Sequence, residues 1–567
     1  MQPTPIAESV SRRPNVPAWV WGVAVAIVAI VCATPSTRNM FVQDDQPAII
    51  EDERLHDPSQ WIRYWNEPYW PKKYGGDLFR PLASTLLAAQ WPLADGAPLS
   101  YRIISITLSA ATSIGVLGLL LTLLPTTPAV LAALLFAVHP VHVEAIAVAV
   151  NQGELLVGLI SALALWGYIV ARRRGPLGWQ HRWGLFAAAL AGGLIKENAA
   201  ILPFMLLAAE GTILADTPRG SRWRDRWREA WRPQAMMWLA LAVVLVLRYR
   251  VHAGEMRATF TAEGIDGLSM TERAYTVFAG VVPEWLRLLL WPATLQADYS
   301  PREIMPLTSF TGDVLLGLLL AGLILALAIR TARRAPVVSF GAWWTILALG
   351  PVSNILVPTG IVLAERTLYL PSVGAMIAVG GLLMVALRAP TPRWRPYAVI
   401  GLTVLVAGLG VSRSRSRFTV WRTPITLWRQ TVIDAPDSYR ARFALGYLMT
   451  QMGWNERGEV FMRDAIELYD RATGQVFTVA DRLRHSGRCA EALPYYRRAL
   501  EVEEFAPGRA SYIACLAYLG HYQEGRDAAL VGIGTGHYTR VFLLWFRMLD
   551  AARRNPPPVG TVTFPAD

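Results

Sequence analysis

About eleven runs of apolar residues fill the first 410 or so positions, most of them long enough to cross some 30 Å of hydrocarbon. They lie near 18–33, 103–124, 129–150, 152–171, 183–195, 199–214, 235–250, 311–329, 337–357, 368–387 and 396–412. With 53% hydrophobic and 17% charged residues in a 567-residue chain, this is far more apolar surface than a water-soluble core can absorb. The chain therefore reads as an all-α, polytopic membrane protein. The fifth run has only about 13 residues, below the usual minimum, and reads as a broken or re-entrant segment packed within protein.

Arginine placement fixes an orientation. Arg12 and Arg13 precede the first run, Arg172 to Arg174 follow the fourth, and six arginines lie between Arg219 and Arg232. Arg330, Arg333 and Arg334 follow the eighth, and Arg388, Arg393 and Arg395 follow the tenth. With alternating crossings all five clusters fall on one side, which the positive-inside rule makes the cytoplasm. The net charge of +12 is mostly this topology, so it does not indicate nucleic-acid binding. The first run also resembles a signal peptide, but ten further spans already anchor the chain, and cleavage would still leave the next segment outside.

That next segment is Phe41-Val42-Gln43-Asp44-Asp45, with two adjacent carboxylates about ten residues past the first run. Like charges side by side near lipid repel, so at least one should have a displaced pKa or a partner. A general base is one reading, and the polar start of an exposed loop is the other. Two long external loops are expected, 34–100 and 251–310. The first carries Trp61, Trp65, Tyr69, Trp70, Lys72, Lys73 and Arg80, a mixture suited to helices in the headgroup layer. The second holds a comparable stretch, Tyr275 to Trp291, followed by Asp298-Tyr299-Ser300.

Past residue 413 the character changes. Gly453, Gly487 and Gly520 are spaced by 34 and 33, each followed five residues later by a small residue: Gly458, Ala492 and Gly525. Phe461 matches Tyr495, and Ala465 matches Ala499, at the same spacing. This is the tetratricopeptide period, in which glycines turn between paired helices and small residues allow close packing. By parity of crossings residues 413–567 form an extracytoplasmic repeat domain after a membrane domain spanning 1–412. Of the three cysteines, Cys32 lies in the first run, and Cys489 and Cys515 lie in the repeats, where a disulfide is permitted. Two small buried residues in helix packing is the favoured reading of that pair.

Polar groups recur at the expected outer ends of spans: His139, His142 and Glu144 at the third; Asn151, Gln152 and Glu154 at the fourth; Lys196, Glu197 and Asn198 between the fifth and sixth; Glu365 and Arg366 after the ninth. Each alone reads as a cap or a buried ion pair. Together they describe a charged external cavity, because ionisable groups at membrane depth are expensive. Lys196, Arg80 and Arg366 suit a phosphate, which arginine can bind bidentately. His139, His142 and Glu144 have ligand chemistry, but Pro140 disturbs their spacing and no aspartate-rich metal signature accompanies them.

These residues resemble a known family. Phe41 to Asp45, Phe79-Arg80-Pro81-Leu82, the run Leu134 to Ala145, Lys196-Glu197, Gly350 to Ile355 and Ala364 to Ser372 are similar to the transmembrane and tetratricopeptide-repeat containing (TMTC) family. The resemblance covers most of the chain, including the order of membrane part and repeats. It implies a GT-C fold followed by a small tetratricopeptide-repeat helical solenoid. It also implies a glycosyltransferase that takes sugar from a polyprenyl-phosphate carrier to a hydroxyl acceptor on the non-cytoplasmic face. Animal members are protein O-mannosyltransferases of the endoplasmic reticulum that use dolichyl-phosphate mannose.

In the wider GT-C class an acidic residue of the first external loop is the catalytic base, which here falls on Asp44 or Asp45. Arg80, Lys196 and Arg366 would then hold the donor phosphate. His139, His142, Glu144, Asn151, Glu154, Glu197, Glu365 and Tyr369 would line the substrate site. A metal is not obligatory, because two cations can offset the charge of the leaving phosphate. The chain has about three repeats where animal members have many, which points to a bacterial homologue in the inner membrane facing the periplasm, with a protein acceptor. The rival readings are a noncatalytic scaffold that gathers partners on its repeats and a transporter of lipid-linked substrate.

Overall fold

A computed structural model describes residues 16–74, 76, 78–215, 223–252, 261–388 and 392–562. Arg12, Arg13 and Arg219, part of the basis for the orientation, lie outside the described residues. Among those described there is no strand, and helices form two units: residues 1–297 with 307–424, and residues 298–306 with 425–567.

In the first unit a helix stands at each of the eleven apolar stretches. Among the described residues seven are long and apolar enough to cross a membrane: those within Ala18–Arg38, Pro98–Leu123, Ala149–Arg174, Glu229–Val251, Gly312–Thr331, Glu365–Arg388 and Arg395–Val420. The chain is thus a multi-pass integral membrane protein. The third stretch is not one straight span. Thr126–Ala137 and Pro140–Ala147 meet at a 44° bend that qualifies only as a bent pair. Pro140 has no N–H to donate, so the helix stops and carbonyls are freed. Val138 O is taken by the Ser414 hydroxyl at 2.9 Å, and His139 caps the new turn by accepting from the Val141 N–H at 3.3 Å. The remaining helices, Trp179–Ile195, Leu202–Gly211 and Pro336–Leu349, have 17, 10 and 14 residues and fall short of a full span. An expectation of about eleven crossings therefore rests on three short helices and one bent pair.

Small residues allow two of the helices to approach closely. A Cβ on Gly341 would sit 2.4 Å from Ala378 N, and one on Gly374 would sit 2.6 Å from Thr345 N. Two backbones thus touch through paired small-residue positions four apart, which is how helices associate where lipid removes the hydrophobic drive. Trp344 Nε1 donates to Leu370 O at 3.0 Å across the same seam. This rigid pair fixes the start of the Glu365–Arg388 span.

Among its described residues the second unit contains the helix Pro424–Asp434, which starts at the boundary, then three successive helix pairs and a last helix, Thr539–Arg554. The pairs are Tyr439–Gln451 with Asn455–Leu468, Thr473–His485 with Cys489–Val502, and Ala506–Tyr518 with Tyr522–Gly534. Gly453, Gly487 and Gly520 have φ of +87°, +74° and +80°. The next residue's N–H reaches back five positions each time: Trp454 to Met449 O, Arg488 to Leu483 O, and His521 to Leu516 O. These are Schellman caps, in which left-handed glycine lets the chain reverse. Where the helices of the first pair cross, a Cβ on Gly458 would lie 2.5 Å from Gly446 O. Ala492 occupies the equivalent place in the second pair and is fully buried.

Three features differ from the sequence expectation. The membrane unit runs through Pro424 instead of ending at 412, because the last span continues as one helix to Val420. Cys489 and Cys515 are joined as a disulfide and are not merely packed. Residues 298–306, from the second loop of the membrane part, belong to the repeat unit. Asp298 there accepts from the Ser438 hydroxyl at 2.6 Å, and Glu303 accepts from the Asp437 N–H at 3.0 Å.

Candidate functional site

The two adjacent aspartates have opposite environments. The segment after the first span is held by Asn39 Nδ2 donating to Phe418 O at 3.1 Å and Met40 N–H donating to Arg422 O at 2.9 Å. Gln43 then takes a left-handed turn, φ +48°, and Asp44 O accepts from the Ala48 N–H. That turn directs Asp45 inward. Its side chain is fully buried against Arg102, also fully buried, at 2.9 Å, and it accepts from the Val150 N–H at 3.0 Å. Burial pushes the Asp45 carboxyl above its ordinary range, opposed by Arg102 and the N–H donors. Asp44 keeps 37% of its side chain exposed and meets Arg366 Nη2 at 3.3 Å.

Arg366 joins Asp44 to Glu144. Its Nη1 pairs with the Glu144 carboxylate, and its own N–H donates to Glu144 Oε2 at 2.9 Å. Glu144 reaches this point because the bend after Ala137 starts a new helical turn, with Glu144 in its first positions. The seam described above positions Arg366, while Asn151 Nδ2 donates to Glu144 O at 3.2 Å.

Two more pairs complete the cluster. Lys196 Nζ is 2.8 Å from Glu154, whose side chain is fully buried and also accepts from Asn198 Nδ2. Arg80 forks onto Glu197 at 2.7 Å and lies over the Tyr69 ring at 5.3 Å. Burial pulls the Lys196 ammonium below its ordinary range against the attraction of Glu154. Burial would raise Glu197, but Arg80 outweighs it and its carboxyl lies below the usual range. The charges of Arg80 and Arg366 both act on Lys196, and that of Glu154 acts on Arg366. Asp44, Arg366, Glu144, Glu154, Lys196, Arg80 and Glu197 therefore form one electrostatic group, with Asp44 and Glu197 its most exposed members.

The other residues expected to line the site are buried, each with a contact inside the unit. His139 Nε2 bonds Leu289 O at 3.1 Å, and His142 Nε2 bonds the Ser372 hydroxyl at 2.8 Å, both rings buried. Among the described residues no group of three or more His, Cys, Asp or Glu is placed to hold a metal ion. Tyr369 is fully buried, its ring against Phe136 and His142. Glu365 is fully buried too and accepts from the Gln296 N–H at 2.5 Å. Sequence reading missed Arg102, which sits near the start of a long apolar helix where a charge is costly. That cost was the available signal.

No family model matches the chain. Among curated proteins it is 25% identical over 482 residues to "Protein O-mannosyl-transferase TMTC4" of Mus musculus, covering 76% of this chain and 64% of that protein. It is 23% identical over 559 residues to "Protein O-mannosyl-transferase Tmtc3" of Drosophila melanogaster, covering 87% and 60%. The chain thus spans less than two thirds of the length of these relatives. Among solved structures it aligns with the archaeal oligosaccharyltransferase AglB from Archaeoglobus fulgidus in complex with an inhibitory peptide and a dolichol-phosphate. That match has a TM-score of 0.37 and 14% identity, covering 70% of this chain and 56% of the other.

Proposed function

Starting from homology to the TMTC protein O-mannosyl-transferases, we propose that the chain is a GT-C glycosyltransferase. In this reading it moves a mannose-like hexose from a polyprenyl-phosphate carrier to a hydroxyl acceptor, a serine or threonine of a protein. The observation that carries it is the division of labour between the aspartates: Asp44 is open and held by Arg366, whereas Asp45 is consumed by Arg102.

Asp44 accepts the proton of the acceptor hydroxyl while the oxygen attacks C1 of the sugar. The C1–O bond to phosphate breaks, the electron pair leaves on the phosphate oxygen, and attack from the opposite face inverts the anomeric carbon. Arg80 and Lys196 lie beside Arg366 and offset the developing phosphate charge. Each of these cations already has a carboxylate partner. The donor therefore shares them with Glu197, Glu154 and Glu144, which keep them in place when the site is empty.

In our reading Asp44 faces the extracytoplasmic side, the periplasm for a bacterial inner membrane. The described arginines Arg172 to Arg174, at the opposite end of the helix whose first turn holds Glu154, support that orientation. The disulfide of the repeat unit supports an oxidising compartment for that unit. The repeats suit a protein acceptor, since such arrays bind chains along their surfaces.

Purified protein is given radiolabelled polyprenyl-phosphate sugars and extracted proteins, with Asp44→Asn in parallel. Label transfer from one donor, lost in the folded Asp44→Asn variant, is the expected result. Undiminished transfer by that variant overturns the assignment.

A further inference from the structure

The acid–base pair at the exposed edge of the cluster joins two loops that are far apart in the chain. Asp44 comes from the turn after the first span, and Arg366 from the start of another span more than 300 positions later. The residue before each makes the same kind of bond. Gln43 Nε2 donates to Ala297 O at 3.3 Å, and Glu365 Oε1 accepts from Gln296 N–H at 2.5 Å. Two consecutive residues of a third segment thus receive a side chain from each loop on their main chain.

We propose that Gln43 and Glu365 are positioning residues, and that the main chain of Gln296–Ala297 is the template that registers Asp44 against Arg366. The inference rests on the glycosyltransfer reading for its functional consequence. Three observations support it. Glu365 is fully buried, so a polar carboxyl is carried there at a desolvation cost that packing alone would not require. Gln43 adopts a left-handed φ, a conformation that few side chains take, and its amide spans to a segment about 250 positions away. The template is itself held, because Leu295, the residue before it, is fully buried. A peptide segment fixed in this way can hold two loops to within the fraction of an ångström that proton abstraction needs.

The test uses the full-length protein in nanodiscs with two near-isosteric changes, Gln43→Met and Glu365→Leu, and a conservative one, Glu365→Gln. The amide oxygen of Glu365→Gln can still accept from the Gln296 N–H. The expected result is a fall in kcat of about ten- to a hundredfold for Gln43→Met and Glu365→Leu, with the KM for donor held within about twofold. Glu365→Gln should recover most of the rate. An equal loss in Glu365→Gln and Glu365→Leu, or an unchanged kcat in Gln43→Met, overturns the proposal.

Amide exchange tests registration independently of activity. Glu365→Leu should speed exchange at Gln296 and also across residues 43–48, and an unchanged 43–48 segment overturns it. Asp44→Asn in the same transfer assay keeps the two ideas apart. If it retains activity, the catalytic reading fails, while the exchange result still decides whether the template exists.

Discussion

Asp45 and Arg102 face each other with neither side chain touching solvent, Nη2 to Oδ2 at 2.9 Å, and Arg102 also donates to Met40 O at 2.7 Å. The pair ties the loop bearing Asp44 to the Pro98–Leu123 helix. Removing one member strands the other charge in a dry environment, which costs about 3–5 kcal/mol. Asp45→Ala should therefore lower the thermal midpoint of the detergent-solubilised protein by several degrees. Asp44→Asn, at a half-open site, should leave it nearly unchanged while reducing transfer by about 10²–10⁴-fold. Equal thermal shifts for the two variants would refute the assignment of separate roles.

Arg366 makes contacts in two directions, to Asp44 and to Glu144, through different nitrogens of one planar fork. Lysine offers a single ammonium that cannot hold both carboxylates in that geometry. Arg366→Lys is expected to lose at least about tenfold in transfer despite its unchanged charge. Steady-state kinetics check this, and a rate within twofold of the parent would mean that charge alone matters there.

The Gly341–Gly374 contact leaves no room for a methyl group, since backbone atoms would lie 2.4–2.7 Å from a Cβ at either position. Gly374→Ala must push the two helices apart and should cost about 1–3 kcal/mol. Because Arg366 opens the same span, this variant should also lower transfer without touching substrate. A matched control is Gly401→Ala, where nothing lies within 4 Å, which should affect neither the thermal midpoint nor the rate.

How much of this could be read in advance depends on the range of the signal. The apolar runs, the glycines at 34- and 33-residue spacing, and the adjacent charges Lys196-Glu197 and Glu365-Arg366 beside apolar runs are local patterns, so the chain announces them. The choice between Asp44 and Asp45 is different. It depends on Arg102, some sixty positions away, and on a left-handed turn at Gln43, a residue type with no special liking for that conformation. His139, His142 and Tyr369 looked like substrate groups because polar residues at membrane depth are rare. In the structure their rings pack in the interior, His139 on Leu289 O, His142 on the Ser372 hydroxyl and Tyr369 against Phe136 and His142, long-range contacts that the local sequence does not announce. Nothing in the local pattern of residues 298–306 marks them for the repeat unit, because the matching cap, Ser438, lies about 140 positions on.

The bond between Cys489 and Cys515 links the second helix of one pair to the first helix of the next, closing a loop with a sequence separation of 26. A crosslink over that length removes freedom chiefly from the unfolded chain, stabilising the folded state by about 3 kcal/mol. Both residues are buried, so serine would add a hydroxyl without a partner, and the cleaner test is the double variant Cys489→Ala with Cys515→Ala. It should unfold at lower temperature than the parent, and reductant should lower the parent's midpoint towards the same value. Reductant should leave the double variant unmoved, because Cys32, the remaining cysteine, has no sulfur partner among the described residues. A parent midpoint indifferent to reductant under conditions that expose the bond would show that the two sulfurs are not joined in solution. It would also remove one support for placing the repeats in an oxidising compartment.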